Sequence, residues 1–143
     1  MEIEFHQLDL RYQALRRRDA KKERHVLASL AEVGQLLPVV VVGAGQADRY
    51  ILLDGFKRER GLRRLHADTV RATVWTLDEL EALLLERRMR HGEPESPLEQ
   101  GWLLRELADR FGLSQPDLAR RFDRTVSWVS RRLALVSELP PAI

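Results

Sequence analysis

YILLDGFKRER, residues 50–60, passes from an apolar run through Asp54-Gly55 directly into a helical pattern that continues to Leu65 or His66. The change of period reads as a strand feeding a helix across a single glycine. Backbone N–H groups at such a helix start lack partners, and the helix dipole places roughly half a positive charge there. An anion is therefore favoured at that point. Gly55 permits close backbone approach, and Lys57, Arg58 and Arg60 bring cations beside it. Those three bases oppose the dipole unless an anion or an acid meets them. Two readings follow from the residues: a phosphate site, or a basic helix facing solvent that adds a DNA-contact face.

Outward from this turn, Val39-Val40-Val41-Val42 is a β-branched run that reads as a buried strand. The polar, glycine-bearing stretch 43–49 joins it to residues 50–53 as a hairpin. Before it, Val26, Leu27, Leu30 and Val33 recur at helical spacing over 21–33, and Gly34 ends that helix. Residues 2–10 alternate around Ile3 and Phe5 and predict a first strand. Arg16-Arg17-Arg18 reads as a solvated cluster. On the other side, 70–76 predicts a strand. Thr76 and Glu79 form a capping box for a helix from Leu77 to about Arg90, with Leu80, Leu83, Leu84 and Leu85 apolar. GEPESP, 92–97, then punctuates the chain as a domain boundary.

Beyond it the pattern is all helical. Leu98, Trp102, Leu104 and Leu107 give 97–111 an apolar face, and Gly112 stops it. Residues 113–135, LSQPDLARRFDRTVSWVSRRLAL, read as two short helices joined by a tight turn. Ser114 and Asp117 make a capping box, and Leu118, Ala119 and Phe122 share a face. Asp123-Arg124 supplies the turn, since Asp tolerates a left-handed backbone. Thr125 caps a second helix with Val126, Val129, Leu133 and Val136 buried. Thr125, Ser127, Trp128, Ser130 and Arg131 are then left for a partner, with Arg120, Arg121 and Arg124 available to phosphates. The pattern fits a DNA-binding helix-turn-helix; the alternative is a helical hairpin with a solvated arginine face. Trp75 and Trp102 are expected in the core, while Trp128 is open to either packing or facing DNA. The fold class expected is α+β: a small α/β domain, 1–91, followed by an all-α domain, 97–143.

The 143 residues suffice for one medium domain or two small ones. Net charge is only +2, so local clusters matter more than the sum. The absence of cysteine excludes a disulfide scaffold, thiolate metal sites and thiol catalysis. No apolar run approaches a membrane span and Met1 opens into EIEF, so a cytoplasmic, soluble protein without a membrane partner is expected. His6, His25, His66 and His91 show no ligand spacing. The abrupt end, LPPAI, suggests a piece of a longer chain.

The order of these motifs resembles the ParB/Noc/KorB family of plasmid- and chromosome-partitioning proteins, over about residues 8–143. A first motif, GQ-x-x-P-I/V-x-V, is met in full from Gly34 to Val41. A second, GERR-x-R, is met at Gly55, Arg58 and Arg60, with Lys57 for an arginine and Phe56 where the family has glutamate. A third, E-N-x-x-R, is met at Glu86 and Arg90, with Arg87 in place of the asparagine; Pro97 and Glu99 continue it, two residues late. The resemblance implies a ParB/sulfiredoxin-like N-terminal domain that binds CTP with Mg²⁺, and a helix-turn-helix domain that binds double-stranded DNA. It implies a homodimer, joined by a C-terminal domain for which no residues are seen here, closing as a clamp. Gly34, Gln35, Pro38, Gly55, Lys57, Arg58 and Arg60 would hold the nucleotide, and Glu86 would be the catalytic and Mg²⁺-binding residue of a weak CTPase. Arg87 removes a neutral oxygen ligand and adds a repelling cation, which opposes Mg²⁺-dependent turnover at this position. Sulfiredoxin chemistry needs a cysteine and is excluded; no carboxylate cluster suggests a nuclease. The competing expectation is a transcriptional regulator or mobile-element accessory protein that keeps the fold without a nucleotide switch.

Overall fold

The computed structural model describes residues 1–90 and 95–137, and the chain divides into two compact units. One comprises Met1–Gln13 and Arg18–Arg90; the other joins Ala14–Arg17 to the helical region that follows.

The first unit is built on a five-stranded mixed sheet. Its strands are β1 (Glu2–Glu4), β2 (Leu8–Asp9), β3 (Val39–Gly43), β4 (Tyr50–Asp54) and β5 (Thr69–Trp75), in the order β1-β5-β3-β4-β2. The antiparallel β3–β4 hairpin pairs Val42 with Ile51 and Gly43 with Tyr50. β5 lies parallel to β3, with Val39 opposite Ala72. A parallel neighbour requires a crossover, and α2 (Phe56–Arg64) supplies it between β4 and β5. Ile3, Val39, Val41, Ile51, Leu52 and Val70 are all at most 1% exposed and form the centre of this unit. Helix α1 (Ala20–Val33) packs on α2, and α3 (Glu79–Met89) follows β5.

The single first strand expected over 2–10 is instead two. Glu4 and Gln7 cap each other reciprocally around a 3₁₀ turn at Phe5–Gln7. That turn sends β1 to β5 as an antiparallel edge and β2 to β4 as the opposite, parallel edge. The cap of α3 also differs: Asp78, not Thr76, accepts from the Glu81 N–H, and the helix starts at Glu79. Both residues have a glutamate three positions on, and the structure uses the second. Leu30 is the buried residue of α1, whereas Val33 is 55% exposed. Gly34 ends α1 at φ 76°, as its sequence position implies.

The second unit contains α4 (Pro97–Phe111), α5 (Gln115–Arg121) and α6 (Val126–Ser137). Ser96 and Glu99 form a capping box for α4 with Pro97 in its first turn, and left-handed Gly112 closes it. Within the unit, Glu99 also accepts from the Arg17 N–H. A Cβ on Gly101 would lie 2.6 Å from the Arg132 carbonyl oxygen, so this glycine lets α4 and α6 approach closely. Leu104, Leu107, Leu118, Val129 and Val136 are completely buried. Val126 is 45% exposed rather than part of that stripe. Trp75 and Trp102 are half-buried, and the Trp102 indole N–H is enclosed without a hydrogen-bond partner. The boundary expected at 92–97 and the end of the chain fall largely outside the described residues. Among the described residues no helix is long and apolar enough to cross a membrane.

Candidate functional site

The loop between α1 and β3 meets the β4–α2 junction at one corner of the first unit. Gln35 fixes the loop by acting as an extra strand residue. Its amide nitrogen donates to the Arg71 carbonyl at 2.8 Å and to the Leu37 carbonyl at 3.0 Å, and its amide oxygen accepts from the Arg71 N–H at 2.8 Å. The Arg71 guanidinium donates in turn to the Gln35 carbonyl. Both polar ends of Gln35 are thus engaged with backbone, extending the β3–β5 ladder by a side chain.

Gly55 closes the corner from the other side. It is left-handed at φ 99°, and a Cβ there would come within 2.5 Å of Val39 Cγ1. Only glycine fits both the backbone and the space. α2 begins at the next residue with no side-chain cap, whereas Asp19, Asp78, Ser96, Ser114 and Thr125 cap the other α-helices. Arg58 lies across this start. Its guanidinium donates to Asp54 Oδ2 at 3.3 Å and to the Leu37 carbonyl at 3.4 Å. Residues 21 apart in sequence are thereby held at one point. A cation fixed beside an uncapped helix start is a physical basis for holding a compact anion.

Not all the bases expected at this turn point there. Arg60 donates to Glu23 on α1, and Lys57, Arg60 and Arg64 line a cleft of about 390 Å³ between α1 and α2. Lys57 and Arg60 therefore separate from Arg58 onto another face of α2. Gly34 serves as the α1 terminus, and Pro38 is exposed just before β3.

Two buried carboxylates belong to this unit. Glu59, 1% exposed, accepts from Arg63 Nε at 2.8 Å and Nη2 at 2.6 Å, and the Arg63 guanidinium stacks over Phe5 at 4.9 Å. In the sequence the signal for this pair is the i,i+4 spacing of Glu59 and Arg63, which many exposed helix faces share. Glu86, 5% exposed, is held through both oxygens by Arg90 at 3.1 and 2.8 Å. Among the described residues no group of three or more His, Asp or Glu could hold a metal ion. Glu86 with Arg90 on its oxygens, and Arg87 beside it, does not fit a protein-held Mg²⁺.

In the second unit, Ser114 and Asp117 cap α5 reciprocally, and Asp123 takes the left-handed turn at φ 53°. The Thr125 hydroxyl accepts from the Trp128 N–H at 3.1 Å to open α6. Ser127, Ser130 and Arg131 are exposed. Of the two places open to Trp128 the structure takes the packed one, against its place among the partner-facing residues: it is 7% exposed and its ring packs against Phe122, with Arg124 and Arg132 over it at 4.9 and 5.1 Å. A large indole on the inner edge of α6 has more to gain from packing than from water. Arg120 is paired with Asp117, and Arg121 is exposed. An open concavity of about 540 Å³ is lined by Asp123, Arg124, Thr125, Trp128 and Arg131.

The mixed sheet with its glycine-led helix corresponds to a ParB N-terminal, sulfiredoxin-like fold. Sulfiredoxin from Arabidopsis thaliana superposes with a TM-score of 0.51 at 19% identity, over 62% of this chain and 97% of that one. The C-terminally truncated chromosome-partitioning protein ParB from Caulobacter crescentus, complexed with CTP-γ-S, gives 0.54 at 24% identity, covering 98% of this chain and 79% of that one. The same protein complexed to the centromeric parS site gives 0.50 at 22% identity, covering 98% and 73%. The family model of the ParB N-terminal domain matches residues 1–87. The probable chromosome-partitioning protein ParB of Neisseria meningitidis is 31% identical over 130 residues, 89% of this chain and 44% of that protein. This chain belongs to the ParB family, and it spans less than half the length of the curated relative it matches.

Proposed function

We propose that this chain is a chromosome-partitioning protein that binds double-stranded DNA and is switched by CTP. Its nucleotide phosphates would sit at the corner where Gly55, Arg58 and the 34–38 loop meet. The observation that carries this reading is Arg58, fixed by Asp54 and the Leu37 carbonyl at the uncapped start of α2. The Caulobacter protein complexed with CTP-γ-S shares the fold and supports the choice of nucleotide. Residues 97–143 would form the DNA-binding domain, with α5 and α6 as a helix-turn-helix. Ser127, Ser130 and Arg131 would face base edges, while Arg120, Arg121 and Arg124 would meet phosphates. A homodimer that closes on DNA as a clamp would couple the two ends. With Glu86 held by Arg90, the proposal is nucleotide binding without a hydrolytic step; Mg²⁺ would arrive on the nucleotide's own phosphates.

A second reading is a regulator or mobile-element accessory protein without a nucleotide switch. Phe56, 6% exposed where the family motif has an acid, favours it. Calorimetric titration with CTP, ATP and GTP, each with Mg²⁺, separates the two. Binding of CTP that disappears in Arg58→Ala supports the switch. Absence of any nucleotide binding, with binding to a parS duplex intact, overturns it in favour of the regulator.

A further inference from the structure

The cleft between α1 and α2 gathers cations that the corner at Gly55 does not use. Lys57, Arg60 and Arg64 recur at i, i+3 and i+7 and so share a face of α2, and Arg18 and Arg24 line the same cleft from the α1 side. The acids nearby are already engaged. Glu23 bonds Arg60, and Asp19, close enough to feel the Lys57 charge, accepts from the Lys22 N–H at the α1 cap. Among the described residues no carboxylate pairs with Arg18, Arg24, Lys57 or Arg64. Gly61 lets the two helices approach closely, since a Cβ there would fall 2.7 Å from Leu30 Cδ1. The cations therefore stand on a fixed frame, and their mutual repulsion destabilises it until an anion offsets them.

The shape of this cluster selects the anion. From Lys57 to Arg64 the face runs about 10 Å along α2. It offers side chains rather than converging backbone N–H groups, and Arg18, Arg24 and Arg64 are exposed. A compact triphosphate is better held at a helix start. A row of exposed arginines suits a chain of phosphates at repeating intervals, met through charge and counterion release without regard to sequence.

We propose that the α1/α2 cleft is a second, sequence-independent DNA contact that seats the phosphodiester backbone of duplex DNA, apart from the helix-turn-helix and from the nucleotide corner. The cleft lies wholly within the first unit, so this contact stands or falls separately from the reading of α5 and α6.

The test measures the salt dependence of binding to a scrambled duplex by fluorescence anisotropy, for wild type, Arg24→Gln/Arg64→Gln and Arg24→Lys/Arg64→Lys. The glutamine pair should reduce the slope of log K against log salt by about 1.8, and the lysine pair should restore it. Melting monitored by circular dichroism should not fall in either variant, and the glutamine pair, relieved of part of the repulsion, should melt no lower than wild type. An unchanged slope in the glutamine pair overturns the proposal. So does loss of CTP binding with the slope intact, which would make the cleft part of the nucleotide site. A glutamine pair that fails to fold leaves the lysine pair and the single Arg64→Gln, whose slope should fall by about 0.9. If the chain shows cleft-dependent slope but no preference for parS over scrambled duplex, the helix-turn-helix reading fails and this inference survives.

Discussion

Helices α2 and α6 both begin beside arginines, yet their starts are built in opposite ways. At α2 the helix has no side-chain cap, Gly55 is pressed against Val39, and Arg58 is 20% exposed and tied to Asp54. At α6 the Thr125 hydroxyl fills the capping role, and Ser127, Ser130 and Arg131 are exposed. A start without a side-chain cap and surrounded by fixed groups suits a compact ligand, because little ordering of those groups remains to be done on binding. A capped start with exposed side chains on its outer face is stable alone and can adapt to an extended partner. On the proposed function, the same chemistry, arginine near a helix N-terminus, would serve different ends according to how the first turn is closed.

Replacing Gly55 by alanine should break the α2 side of this contrast most severely. The change adds a left-handed penalty to a 2.5 Å approach to Val39, and a loss of about 2–4 kcal/mol is expected in denaturant unfolding. Gly112→Ala, also left-handed but with nothing within 4 Å of its Cβ, should lose only about 1 kcal/mol. Equal losses would mean that backbone strain, and not the contact with Val39, dictates the glycine.

Much of this corner is legible in the sequence, because its signals are local. The β-branched run 39–42, the Asp54-Gly55 break and the base-rich helix can each be read within a few residues, as can Ser114, Asp117, Asp123 and Thr125 around α5. What escapes is what depends on partners. The alternation over 2–10 rests on Ile3 and Phe5, and Leu8, five residues from Ile3, falls outside it; that Ile3 belongs beside β5 and Leu8 beside β4 at the far edge is set by strands far along the chain. Arg58 and Arg60 look like one cluster until α1 brings Glu23 to one of them. Gln35 carries a motif signal, but its pairing with the Arg71 backbone is set by a strand 36 residues away. Trp128 is ambiguous because its neighbours Arg124 and Arg132 read as solvent-seeking, although both stack on its ring.

Glu59→Gln is the next largest change. The carboxylate is buried and accepts two bonds from Arg63, whose own side chain is 52% exposed. Losing a charge-assisted pair should cost about 2 kcal/mol, with Arg63 escaping to water and limiting the loss. Melting that does not change would assign the stability of α2 to Phe56, Leu62 and the sheet beneath.

On α6 the corresponding change leaves the fold intact. Arg131→Ala should not shift the melting temperature, because the side chain is exposed. It should weaken binding to a parS duplex by about 1.5 kcal/mol, roughly tenfold, if the guanidinium reads a base. Equal weakening for scrambled DNA would place Arg131 on the phosphate backbone instead.

The smallest effect concerns the cap that leads into this region. The Asp117 carboxyl is held below its ordinary value of 3.8, first because the Ser114 hydroxyl donates to it, then through the Ser114 N–H and the adjacent Arg120. A carboxylate with a lowered value in the folded state contributes stability above its unfolded value and loses it as pH falls through the folded one. Asp9 and Asp19 are lowered as well, the first mainly by Arg11 and the second by the Lys22 N–H, so acid weakens several points at once. The share belonging to α5 is isolated by comparing wild type with Asp117→Asn as the pH falls from about 6 through the carboxylate range. The asparagine can still accept from the Ser114 N–H but does not titrate, so the gap between the two melting curves should close on acidification. A gap that persists at the lowest pH would mean the charge is not what Asp117 contributes, and that the geometry of the Ser114 box alone fixes the start of α5.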